Sequence, residues 1–147
     1  MKWRWRNIPV PEPHVIVLVL AITLHLLVPL RLFPSQWFGH VSGWPIVIVG
    51  VALVIWAVRT ISDMDISKPT RIVSSGPYAF SRNPMYLAWT LINFGIVLIL
   101  NTVWLVILLP AALLFTHFLT IPREERHLEE HFGEDYSGYK ARTHRWL

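Results

Sequence analysis

The chain has 147 residues, of which 54% are hydrophobic and only 15% charged, with a net charge of +4. So few charges cannot coat a soluble globule, and the apolar residues fall in long runs, which points to a single integral membrane unit. The basic residues flank those runs instead of forming a stripe, which argues against nucleic acid as a partner, and the absence of Cys excludes disulfides, thiolate metal sites and cysteine nucleophiles.

In chain order, the basic stretch MKWRWRNIPVPEPH comes first and an apolar run follows. No small-x-small cleavage pattern succeeds that run, so it reads as an uncleaved first span, 15–33. Trp3 and Trp5, set between Lys2, Arg4 and Arg6, have the character of an interfacial anchor. A second span is expected at 41–58, followed by a polar segment, 59–83. From 85 to 121 the chain is apolar almost throughout. As one helix that run would be ~55 Å long, against a hydrocarbon core of ~30 Å. Asn101-Thr102 is its one adjacent polar pair away from the ends. The spacing therefore predicts a hairpin of helices at 85–100 and 103–121. The last element, 123–139, repeats Leu128, Phe132, Tyr136 and Tyr139 at helical spacing, opposed by Glu129, Glu130 and Glu134. It reads as an amphipathic helix that lies on the membrane or caps the bundle, with Gly133 as a candidate break.

The expected fold is thus an all-α membrane bundle of four spans with a C-terminal cytoplasmic amphipathic helix, one domain over 1–147. Lys2, Arg4, Arg6, Arg59, Lys68, Arg71, Arg82, Arg123, Arg126, Lys140, Arg142 and Arg145 all fall on one side of such a bundle, and only Arg31 on the other. The positive-inside rule then puts both termini in the cytoplasm, as for a multi-pass protein of a prokaryotic inner membrane.

Two clusters could carry chemistry, and both map to that side. In GPYAFSRNPMYLAW, Gly76-Pro77 is a turn and Pro84 occupies a first helical position, where a missing N–H is harmless. The free N–H groups at such a helix start, with Arg82 beside them, suit a carboxylate or phosphate. The plainer alternative is a helix start with a snorkelling Arg. In IPREERHLEEHFGEDY, Glu129, Glu130 and Glu134 read as a solvated face, while Glu124 and Glu125 sit where a helix leaves the membrane. Pro110, Leu114, His117, Ile121 and Glu125 follow helical spacing, which would set His117 and Glu125 on one face if Pro122 only kinks the helix. His127 and His131 have a metal-ligand spacing but no third ligand in pattern, so no metal is expected. His25 and Asn93 lie within spans, where ties to a neighbouring helix are the ordinary explanation.

The segments KPTRIVSSGPYAFSRNPMYLAW and IPREERHLEEHFGEDYSGYKARTHRWL, joined by a hairpin, resemble the superfamily of isoprenylcysteine carboxyl and phospholipid methyltransferases. The motifs are Gly-x-Tyr at 76–78, Arg-(His/Asn)-Pro-x-Tyr at 82–86, Glu-Glu at 124–125 and Phe-Gly-x-x-Tyr at 132–136. The resemblance covers 68–147. It implies S-adenosylmethionine as methyl donor, in a cytoplasm-facing pocket built from the last two helices and the C-terminal cap. It also implies that Tyr78, Arg82, Asn83, Pro84, Tyr86, Glu124 and Glu125 form the cofactor region. Asn83 departs from the family's more usual His, and the Gly-Thr that many relatives carry before this loop is missing. A lipid-borne or membrane-partitioning acceptor would arrive sideways through the bilayer. A prenylcysteine-like carboxylate needs no base; a lipid amine or thiol needs one, for which Glu125 and His117 are the candidates. Two other readings share this architecture: a non-catalytic membrane subunit and a nicotinamide-dependent membrane reductase.

Overall fold

The structure, a computed structural model, describes residues 10–64 and 69–147. The Trp3 and Trp5 anchor and Lys68 lie outside them. Among the described residues there are five α-helices and no strand beyond an isolated bridge between Ser81 and His144. They are α1 (Glu12–Leu27), α2 (Gln36–Thr60), α3 (Pro84–Leu100), α4 (Val103–Phe132) and α5 (Glu134–Arg142). A 3₁₀ turn, Gly76–Ala79, precedes α3. By length and composition α2 and α4 can cross a membrane, and α1 and α3 are shorter apolar helices of 16 and 17 residues.

The helices pair through their small and apolar faces. α2 packs along α3, α1 packs on α4, and α3 touches both members of the second pair. Gly43 and Gly95 make the first contact possible: a Cβ on Gly43 would lie 2.7 Å from the Gly95 carbonyl oxygen. Small residues at such a crossing let two backbones approach. On α1, His14, Val17 and Ala21 are buried at helical spacing, and Val17 and Ala21 join Val97, Leu105 and Ala112 in one core. The outer faces keep large apolar side chains exposed, among them Ile16, Trp37, Ile48 and Phe118. A surface of that kind is suited to lipid, not to water.

The α3–α4 hairpin forms where the Asn101-Thr102 pair predicts it. Asn101 has φ 52°, a left-handed conformation that Asn tolerates better than most residues. Its buried side chain accepts from the Leu32 and Phe33 N–H groups at 2.8 and 2.7 Å and donates to the Phe33 carbonyl at 2.7 Å. These bonds help to explain why α1 stops at Leu27 instead of running to 33. Pro29 and Pro34 cannot continue a helical ladder, and the extended segment between them is tied to the hairpin. α4 in turn runs past the expected end at 121, straight through Pro122 to Phe132. It does so with a π turn at Thr116–Thr120, where the ladder adjusts just ahead of the proline that lacks an N–H. The break falls at Gly133, whose φ of 53° few other residues adopt.

Candidate functional site

The start of α3, the far end of α4 and the C-terminal segment meet at one end of the bundle. Arg82 is the hub. Its Nε and Nη2 donate to Glu125 Oε1 at 3.2 and 3.1 Å, and its Nη1 donates to the carbonyls of Lys140 (3.0 Å) and Thr143. Four of the five guanidinium protons are thereby used. Arg145 closes the other side of Glu125, with Nη2 2.6 Å from Oε2. The Arg82 backbone N–H donates to the His144 carbonyl at 2.9 Å, and the Asn83 side-chain amide Nδ2 donates to the Arg145 carbonyl at 3.0 Å. The Arg82 and Glu125 side chains are only 10% and 7% exposed. Burial pushes the Glu125 carboxyl up, but its bonds and proximity to Arg145 and Arg82 outweigh that and hold it below the ordinary carboxylate range. Glu125 lies past Ile121, beyond the apolar part of α4. Two guanidiniums on one carboxylate leave an excess positive charge. Lys140, whose ammonium lies 4.0 Å from Glu125 Oε2, is balanced by Glu129 at 2.6 Å and so adds no further net charge.

Directly beside this latch is a cavity of about 810 Å³. That is within the ~300–1,000 Å³ usual for small-molecule sites. Tyr78, Arg82, Asn83, Pro84, Tyr86 and Glu124 all line it. Tyr136 and Tyr139, the inward face of α5, close another side. Burial pushes both phenols up to about 12, so they are neutral, and Tyr139 donates to the Tyr78 carbonyl at 2.7 Å. On the α4 wall Tyr86 donates its phenolic proton to Glu124 Oε1 at 2.7 Å. Glu124 is open to the cavity, yet enough protein surrounds its carboxyl for desolvation to push it up, against the Tyr86 bond, which pulls it down. The helix start itself is uncapped: Asn83 precedes Pro84, but its side chain is spent on Arg145 and makes no cap bond.

The structure thus places six of the residues singled out in the sequence in the cavity wall and leaves two out of it, of which Glu125 still bonds Arg82. Neither Glu125 nor His117 lines the cavity. His117 accepts at Nδ1 from the Trp146 indole, 3.0 Å away, and the two rings stack. An indole N–H can only donate, so Nδ1 carries the lone pair and Nε2 the proton. His127 reaches the cavity wall, but no group of three His, Cys, Asp or Glu that could hold a metal occurs among the described residues. Sequence reasoning did not single out Arg145 as a site residue. Its one signal was its place among the basic residues of the tail.

A family model described as phospholipid methyltransferase matches residues 38–135, about two thirds of the chain. The chain belongs to the phospholipid methyltransferase family. The match takes in all but the first residues of α2, the whole α3–α4 hairpin, and the 76–86 lip and Glu124-Glu125 clusters, in agreement with the resemblance read from the motifs. The family's span begins after α1 and ends at the start of α5, so His14 on one side and Tyr136, Tyr139 and Arg145 on the other lie beyond it. No curated protein and no solved structure matches the chain. Membership makes methyl transfer the chemistry of the family to which this cavity belongs.

Proposed function

We propose that the chain transfers a methyl group from S-adenosylmethionine to a lipophilic or membrane-partitioning acceptor at the cytoplasmic face of a membrane. The observation that carries this reading is the cavity beside the Arg82–Glu125–Arg145 latch, lined within the matched span by Tyr78, Arg82, Asn83, Pro84, Tyr86 and Glu124. Its donor set suits the methyl donor. The uncapped N–H groups of α3, the remaining Arg82 proton and the excess positive charge of the Arg82–Glu125–Arg145 group favour a carboxylate at the lip. The Glu124 carboxylate and the Tyr78 and Tyr86 rings, which line the same cavity, would favour a sulfonium cation. When bound, S-adenosylmethionine supplies an electrophilic methyl group. The chain's own part is to align the two reactants and keep water out.

An amine or thiol acceptor must also lose a proton. We assign that role to Glu124 and not to Glu125 or His117. Glu124 faces the cavity with one oxygen free, whereas Glu125 is held by two guanidiniums and the acceptor nitrogen of His117 is engaged by Trp146. Glu124→Gln is expected to lower turnover of an amine or thiol by ~10²–10⁴-fold, the usual worth of a general base. For a carboxylate acceptor, which loses no proton, the cost should be confined to the weaker hold on the sulfonium. Isothermal titration of the detergent-purified protein with S-adenosylhomocysteine tests the reading itself. Failure of the wild-type protein to bind would remove the methyltransferase assignment.

The same reading carries a topology: α1, α2, α3 and the apolar part of α4 as four spans, with both termini and the 76–84 lip in the cytoplasm. The native chain has no Cys, so a single introduced thiol reports cleanly. Ser75→Cys is expected to react with a membrane-impermeant maleimide only after the cytoplasmic face is opened. Labelling from outside intact cells would invert the topology.

A further inference from the structure

His14 is one of several buried polar side chains of the bundle with an atom left unpartnered, and its ring packs against Tyr86 of the cavity wall. It sits in the first turns of α1 with no solvent exposure, ahead of the span that the family model matches. An apolar side chain would fill that place without the cost of desolvating an imidazole. His14 Nε2 lies 3.1 Å from the Thr90 hydroxyl. That hydroxyl donates its one proton to the Tyr86 carbonyl at 2.8 Å, so its oxygen accepts from His14, and Nε2 carries the hydrogen. Nδ1 has no partner. The His14 ring also packs against the Tyr86 ring, 6.3 Å between centroids at 33°. Tyr86 in turn holds Glu124 in the cavity wall.

We infer that His14 is a positioning residue of the site: through Thr90 and by ring contact it fixes Tyr86 against Glu124, so that α1 belongs to the reaction centre although the family's span does not reach it. This inference rests on the reading of the cavity as the reaction site. Three elements meet in it: α1 gives His14, α3 gives Thr90 and Tyr86, and α4 gives Glu124. Tyr86 is the ionisable group that bonds Glu124, and Tyr78 feels the Glu124 charge without returning one. Glu12 of α1, Arg71 and Arg82 ahead of α3, and Arg123 and His127 of α4 line the same cavity. His14 makes its contacts to Thr90 and Tyr86, so its route to Glu124 runs by way of Tyr86.

That relation sets the test, which is a titration of the Glu124 carboxyl in the ligand-free full chain. The probe is glutamate labelled with ¹³C at the carboxyl, and Glu124→Gln assigns the resonance. Tyr86→Phe removes a hydrogen bond to the charged form and is expected to move the Glu124 midpoint up by about one pH unit. His14→Ala and Thr90→Val should move it the same way. His14→Gln should restore it, because a Gln amide can present N–H near the place of Nε2. In a Tyr86→Phe background His14→Ala should add nothing. A merely structural histidine would lower the thermal midpoint and leave the Glu124 titration at its wild-type place. That result, or a full second shift in the double variant, would overturn the inference. Because no ligand is used, a protein that fails to bind S-adenosylhomocysteine would count against the proposed function and leave this test standing.

Discussion

Glu125→Gln is expected to loosen the whole C-terminal latch and to weaken S-adenosylhomocysteine binding together with it. The substitution leaves Arg82 and Arg145 facing each other across a neutral amide. Removing one partner of a buried ion pair typically costs ~3–5 kcal/mol, and the lower end applies here because Arg145 is partly exposed. The Arg82 donors to Lys140 and Thr143 lose their alignment once the carboxylate no longer holds the guanidinium. The segment that closes the cavity, with Tyr136 and Tyr139, should then become sensitive to protease. Glu130→Gln, on an exposed position, should change neither property. The dependence on pH has a definite sign. The folded pKa of Glu125 is depressed below its ordinary 4.5. Its contribution to stability is therefore complete above that value and disappears as the pH falls through the depressed one. In Glu125→Gln that part of the acid transition should be absent. Thermal unfolding in detergent and calorimetric titration measure both effects. Loss of turnover with the thermal midpoint and affinity unchanged would return Glu125 to the chemistry and remove it from the latch.

Why Glu124 and Glu125 play such different parts was not legible in the sequence. Adjacent residues on a helix point about 100° apart, since a turn takes ~3.6 residues, so the two need not face the same cavity. Choosing between them requires the phase of α4, and the series Pro110, Leu114, His117, Ile121 and Glu125 assumes an unbroken α-helical period. The π turn at Thr116–Thr120 breaks that phase. What the sequence did make legible was local: the apolar runs, the polar pair at the hairpin, the Gly-Pro turn and the Pro at the start of α3. The partners of Arg82 were hidden for a different reason. They lie 43 to 61 positions away, and no short-range pattern brings Thr143 or Lys140 to an arginine in another element. His14 was hidden likewise, since its partner Thr90 is 76 positions on.

Asn101 illustrates the same limit at the opposite end of the bundle, and there the expected effect is on stability alone. From the sequence it was a turn residue. In the fold its side chain also bonds the 32–33 backbone to the α3–α4 hairpin, through three hydrogen bonds. Asn101→Ala removes all three and puts a β-carbon at φ 52° without the local bonding that lets Asn tolerate it. The half-buried N–H groups of Leu32 and Phe33 would lose their acceptor, at ~1–3 kcal/mol each where water cannot replace it. A loss of about 3 kcal/mol or more is expected. Asn101→Gly separates the two causes, because Gly adopts the left-handed conformation freely but restores no bond. It should recover only the ~1–2 kcal/mol of backbone strain. Equal stability of the Gly variant and the wild type would mean that the side-chain bonds contribute nothing. Affinity for S-adenosylhomocysteine measured on the folded fraction should be the same in all three proteins. The cavity draws no residue from the 28–35 segment or from the hairpin turn, so a staple at that end can set how long the bundle lasts without altering what it binds.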